Sequence, residues 1–298
     1  MKKVILLVAM LSLVSVFACF AATPESDFKY DLISSADLKA LASTFKELDV
    51  NEDYIEIKDY TKWDEVVDIP EEIEGCKVIK VKMSLSDRTR KVVVPASVVF
   101  FSVQGDRPEI EFKRDNNSPF IWYGTGGTED PDMKKFKTLP TDKKIIFCCQ
   151  KITLPSEMAS FTWPKNWTCM YYHPDETYGY ERGLYDFDSA IAKTRKAWGY
   201  VAIPELNVYK LGEIAFEEGV EEIPIRVGKI QKVILPKSLK IVRPVLGQKI
   251  INYYDTDSKQ TIVIPEGSNI KFESGSIGTE CLSISTKKAL KAAGYNVD

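Results

Sequence analysis

Residues able to do chemistry are sparse in this chain. Its one histidine, His173, stands beside Pro174. A single imidazole supplies neither a multi-histidine metal site nor a triad with histidine support elsewhere, and next to a proline it reads as a turn residue. Gly124-Thr125-Gly126-Gly127 has the glycines of a phosphate loop but lacks the Lys-Ser/Thr that follows one, so it reads as a loop hinge. Asp130-Pro131-Asp132 and Asp255-Thr256-Asp257 offer oxygens to calcium without the glycine and terminal glutamate of a helix-loop-helix site. Turn chemistry accounts for both. Glu71-Glu72 and Glu221-Glu222 are sequence neighbours, so on a strand their carboxylates point to opposite faces. The expectation is a non-enzyme with no catalytic residue, no metal site and no cofactor.

The most suggestive composition is aromatic. Trp122-Tyr123, Phe161-Thr162-Trp163-Pro164-Lys165-Asn166-Trp167 and Tyr171-Tyr172 gather large amphipathic rings into three short stretches. Such rings either present a flat surface to a protein or sugar, or pack a core. On the first reading Trp122, Tyr123, Trp163, Trp167, Tyr171 and Tyr172 are the candidate binding residues, and a glycan-binding module is the alternative function. On the second they are structural. Cysteine is equally undemonstrative. Cys76, Cys148, Cys149, Cys169 and Cys281 form no CxxC pair, which argues against zinc. Cys148 and Cys149 lie in an apolar run where buried thiols are usual.

Composition restricts the partners. The 298 residues are 44% hydrophobic and 28% charged, which is globular, and 14 Tyr with 14 Phe favour β structure. Formal net charge is -3, far from the basic footprint of a nucleic-acid binder. Met1-Lys2-Lys3 and the apolar run Val4–Phe20 have the form of a signal peptide, with small residues at Ala18, Ala21 and Ala22. An exported protein is expected, in the periplasm, at the outer membrane or on the cell surface. Two processing routes fit. Cleavage near Ala21 or Ala22 frees a soluble chain. Alternatively, Val16-Phe17-Ala18-Cys19 resembles a bacterial lipobox, with Cys19 the lipidated residue of a structural envelope lipoprotein. That anchor is the only expected membrane contact.

The elements that must carry these residues begin with a helix. Ser34-Ser35-Ala36-Asp37 is a capping signal, followed by Leu38, Leu41, Ala42, Phe45 and Leu48 at helical spacing. A helix closing one end of the core is predicted, since a stacked array otherwise exposes its terminal face. From Tyr54 the period shifts to strands that end on proline: Val66–Pro70, Lys91–Pro95, Lys151–Pro155, Tyr200–Pro204, Lys232–Pro236 and Thr261–Pro265. Of 15 prolines, eight follow Val, Ile or Leu, an excess that marks a repeat. Proline locks φ and removes a ladder donor, so it stops each strand. Intervals of 25, 32 and 29 residues separate Pro70 from Pro95, Pro204 from Pro236 and Pro236 from Pro265. The 60 residues from Pro95 to Pro155 imply an insertion or eroded repeats. A second helix is expected at Thr286–Tyr295, with a partial copy at Ala192–Tyr200.

The best-formed stretch is Tyr209–Val242. It reads as two short strands, Glu221–Ile225 and Lys232–Leu235, and its Leu211-Gly212-Glu213-Ile214-Ala215-Phe216 turn, Val220-Glu221-Glu222-Ile223 and Val233-Ile234-Leu235-Pro236-Lys237-Ser238-Leu239-Lys240-Ile241-Val242 resemble the BspA-like leucine-rich-repeat family. Lys91–Phe101 and Thr261–Phe272 match less closely, and the stretch from Phe101 to Lys151 departs from the pattern. The resemblance implies a β-rich α/β fold: a leucine-rich-repeat-type solenoid of short strands with an N-terminal capping helix and insertions. It further implies protein–protein interaction or adhesion at a bacterial envelope, with a host or envelope protein as partner and no catalytic residue. The expected organisation is a signal peptide at 1–21, a tether and capping helix at 22–50, and repeats at 51–298, divisible into modules at 51–200 and 201–298.

Overall fold

A computed structural model describes residues 23–105, 108–124, 130–149, 151–169, 204–208, 210–227, 230–242, 260–273, 276–278 and 282–295, with the backbone alone of 171–173 and 181–185. The chain is β-rich, with two α-helices among the described residues and several parallel sheets. Its first half contains β1 (Phe28–Leu32), α1 (Ser35–Thr44), β2 (Tyr54–Tyr60), β3 (Val66–Asp68), β4 (Glu72–Ile73), β5 (Cys76–Ser84), β6 (Lys91–Val94), β7 (Phe100–Gln104), β8 (Glu109–Phe112), β9 (Phe120–Tyr123) and β10 (Ile145–Cys148). There follow β11 (Lys151–Thr153), β12 (Ser160–Trp163), β13 (Trp167–Cys169), β14 (Tyr171–His173), β15 (Glu181–Tyr185), β16 (Glu205–Asn207), β17 (Glu213–Phe216), β18 (Lys232–Ile234), β19 (Ile241–Val242), β20 (Thr261–Val263), β21 (Lys271–Phe272) and α2 (Ile284–Ala292).

Successive strands alternate between ladders. The main sheet runs β1-β2-β5-β7-β9-β10-β13, parallel except for the antiparallel edge strand β1 and the short β4, which pairs antiparallel with β5 off this path. The strands between its members form a second parallel ladder, β3-β6-β8. Further along, β12-β17-β18-β20 make a third. Within each ladder alternate residues turn inward, so Val67, Val92 and Ile110 stack at one level and Ile214, Val233 and Ile262 at another. One continuous core extends from Phe28 to Leu290. Strands either side of residue 200 pair directly, β11 with β16 and β12 with β17, and so share that core across the expected module boundary.

Two pairs of strand-ending prolines sit level. Asp68 faces Val93, which sets Pro70 beside Pro95, and Ile234 faces Val263, which sets Pro236 beside Pro265. Pro155 and Pro204 differ, because β11 pairs with the strand after Pro204; the segment Tyr200–Ile203 lies outside the described residues. The carbonyls of Pro95, Pro155, Pro164, Pro236 and Pro265 each accept from the amide three residues on, at 3.1–3.3 Å. The serine two places after proline then has a physical role. Ser97 Oγ donates to the Glu71 carbonyl and Ser238 Oγ to that of Val220, each tying its turn to the preceding pass of chain. Glu218 does the same in the other direction, its carboxylate accepting from the amides of Lys237 and Ser238, which holds it below the usual carboxylate range.

Three expectations are corrected. Glu221–Ile225 forms no strand; only Glu222 bridges, to Ile241. Pro224 within the run cannot donate to a ladder. Of the two readings of Phe101–Lys151, the insertion gives way: β7, β9 and β10 carry the main sheet through it, while the second ladder ends there at β8. Pairing needs only alternate apolar residues, which Phe101, Val103, Ile110, Phe112, Phe120, Trp122, Ile145 and Phe147 supply. Finally, α1 does not close an end. Ser34 Oγ caps it as predicted, accepting from the Asp37 amide, but Leu38, Leu41 and Phe45 pack on the outer face of the main sheet. There they cover Tyr54, Ile79, Phe100, Ile121, Tyr123 and Cys148, while β1 occupies the sheet edge. The second predicted helix is present as α2. Its end has Gly294 at φ +88°, with the amides of Gly294 and Tyr295 bonded to the carbonyls of Lys291 and Leu290, a Schellman arrangement.

Candidate interaction surfaces

The aromatic candidates divide by position. Trp122 and Tyr123 on β9, Trp163 on β12 and Trp167 on β13 are all buried, at most 4% exposed. Trp163 and Trp167 stand edge to face, centroids 5.3 Å apart, with Phe147 and Phe161 against them. Their indole nitrogens are satisfied internally: Trp163 Nε1 donates to the Trp167 carbonyl at 3.0 Å and Trp167 Nε1 to that of Pro140 at 3.2 Å. Trp122 packs against Phe101, Phe112 and Phe136. These four residues therefore have no ring face free for a partner, and the surface reading of them gives way to core packing. The side chains of Tyr171 and Tyr172, and Cys19, lie outside the described residues.

The other chemistry is structural too. Asp132 caps a short 3-10 turn, its Oδ1 accepting from the Lys134 amide. Cys76, Cys148, Cys149 and Cys169 are free thiols. Burial pushes the Cys148 thiol up to about 12 and those of Cys149 and Cys169 well above their ordinary value. A thiol held protonated is a poor nucleophile and a poor metal ligand. Among the described residues, no three His, Cys, Asp or Glu side chains are placed to hold a metal ion. Nor is any described helix long and apolar enough to cross a membrane, which says nothing of strands.

Two exposed features belong to the first ladders. Beside α1, the outer face of the main sheet is a polar groove of about 440 Å³ lined by Asp37, Glu56, Lys58, Lys80, Lys82 and Ser102, among others. Lys80 is held there between Asp37 and Glu56 at 3.3 and 3.2 Å, over the Phe100 ring. The second feature is Trp63, in the link from β2 to β3. It is 69% exposed, and the Arg88 guanidinium from the next such link lies 5.7 Å from its ring centroid. Trp63 stands apart from the three aromatic stretches. The available signal was its setting, Thr61-Lys62-Trp63-Asp64-Glu65, where no apolar neighbour supplies a face to bury.

Arg114 is a buried charge that ties several loops of this half together. It is 7% exposed and follows β8. Its guanidinium donates to the carbonyls of Ala96, Val98, Ser118 and Pro119 and to the Glu47 carboxylate. Burial lowers its pKa, with Glu47 opposing. No protein-family model, curated protein or solved structure matches the chain.

Proposed function

We propose that the chain is an exported, non-catalytic, leucine-rich-repeat-type solenoid of the BspA-like kind, serving protein–protein interaction or adhesion at a bacterial envelope. What supports this reading is the alternation of consecutive strands between parallel ladders, with apolar residues and proline turns level from one pass to the next. A stack of this kind buries its apolar faces only against neighbouring passes and leaves long edges of links facing outward. Those links carry Trp63 and Arg88. Tryptophan and arginine dominate the energetics of protein interfaces, and a tryptophan left in solvent forgoes apolar burial that a partner would restore.

The test is binding of the mature chain to panels of extracellular-matrix and envelope proteins by interferometry. Saturable binding to a defined protein is expected. Trp63→Ala should weaken it about tenfold or more, on the scale of about 1.4 kcal/mol per decade. Because the ring is exposed, the same change should leave the unfolding midpoint within about 1–2 °C. Absence of any saturable protein binding would overturn the proposal.

A further inference from the structure

We infer that the open edge of β8 is a docking site for an extended peptide with alternating basic and apolar residues, which adds as the next strand of the β3-β6-β8 ladder. This deepens the proposed binding role and rests on it. The direction of the β8 main chain follows from its bonds to β6: the amides of Glu109 and Lys113 donate to Arg90 and Val94. Successive residues along a strand point their amide and carbonyl to opposite sides, so those of Ile110 and Phe112 face away from β6. The Arg114 carbonyl, next in the same phase, does face that way and accepts from Lys143 Nζ at 3.2 Å.

Three other ladder edges are met by the chain itself. At β3, the Asp68 amide donates to Thr23 Oγ1. At β20, the Ile262 amide donates to Thr286 Oγ1 of α2. At β11, the Thr153 amide donates to the Pro131 carbonyl. Beyond β8 there is instead a groove of about 540 Å³, walled on its far side by residues 136–143, which form no strand. It is open main chain beside open space, the arrangement that strand addition uses.

The charges along β8 favour a basic occupant, while the far wall of the groove carries Asp142 beside Lys137 and Lys143. The outer face of this ladder is built from opposite charges on neighbouring strands, Lys91 with Glu111 and Lys113 with Asp68. The last strand ends the series with Glu109 and Glu111 exposed, and no ion pair holds Glu109 among the described residues. A strand placed next would set its outward residues beside these carboxylates, which favours Lys or Arg. Its inward residues would fall over the half-buried Phe136 and Leu139, which favours Val or Ile. Four residues of β8 span about 13 Å, matching a peptide of four or five residues.

The probe is fluorescein-labelled Lys-Val-Lys-Val-Lys, read by anisotropy at low salt against the scrambled Lys-Lys-Lys-Val-Val. The alternating peptide should bind saturably and at least about tenfold tighter than the scramble. Ile110→Pro removes an outward-facing donor not used by β6, and Glu109→Lys reverses the unpaired charge. Each should weaken binding about tenfold or more. If Ile110→Pro disturbs folding, an N-methylated peptide of the same sequence supplies the missing-donor arm and should fail to bind wild type. Equal affinity for peptide and scramble, or for wild type and Glu109→Lys, overturns the site. So does dimerisation of the wild type that Glu109→Lys abolishes, which would make a second copy the occupant. Trp63-dependent binding to a protein partner that survives in Glu109→Lys would leave the broader function standing while this site falls.

Discussion

Trp163→Ala should destabilise the protein by about 3–5 kcal/mol, the range for deleting a buried tryptophan. Three observations place it at this end of the scale. The indole is fully buried and sits at the junction of two sheets, since β12 belongs to one ladder and its edge-to-face partner Trp167 to the main sheet. Removing it opens a void lined by Phe147, Phe161 and Trp167. It also strips the Trp167 carbonyl of its indole donor. In thermal unfolding this corresponds to a fall on the order of 10 °C. Trp163→Phe keeps most of the volume and loses the hydrogen bond, so about 1–3 kcal/mol is expected. Loss of partner binding in Trp163→Ala would then reflect unfolding, and full partner binding at an unchanged midpoint would place the ring at the surface after all.

Arg114→Ala should cost about 3–5 kcal/mol for a different reason. The guanidinium joins two loops, residues 95–98 and 114–119, to the Glu47 segment after α1, through donors to four carbonyls and one carboxylate. Its removal leaves the buried Val98 carbonyl and three part-buried ones without their guanidinium donor together. The planar fork matters as well as the charge, so Arg114→Lys should recover less than half of the loss. Glu47 is 53% exposed on its side chain, and Glu47→Gln should cost no more than about 1 kcal/mol. Chemical denaturation of the three variants separates these contributions. Equal losses in Arg114→Ala and Glu47→Gln would show that the ion pair, and not the carbonyl network, carries the effect.

Local rules made much of the fold legible. The Ser34 cap, the final helix with Gly294 and the strands before Pro70, Pro95, Pro155, Pro236 and Pro265 each rest on residues within a few positions of one another. The docking of α1 does not. Its stripe of Leu38, Leu41 and Phe45 is compatible with any apolar surface. The partners Tyr54, Ile79, Phe100, Ile121 and Tyr123 come together only once the parallel sheet is assembled. Repeat spacing misled in Phe101–Lys151, where the proline punctuation is lost but the inward alternation persists. The aromatic stretches misled for a related reason. A Trp-rich segment announces large rings, and only the ladder register assigns them to an inner or an outer face. Among the described tryptophans, Trp63 has the plainest local setting and is the exposed one.

The central claim is that successive passes stack in register as parallel ladders. It is most directly tested by methyl–methyl nuclear Overhauser contacts in protein labelled at Ile and Val. Two continuous series of contacts are expected, Val67–Val92–Ile110 and Ile214–Val233–Ile262. Series displaced by one residue, or contacts that skip the middle strand of either ladder, would contradict it.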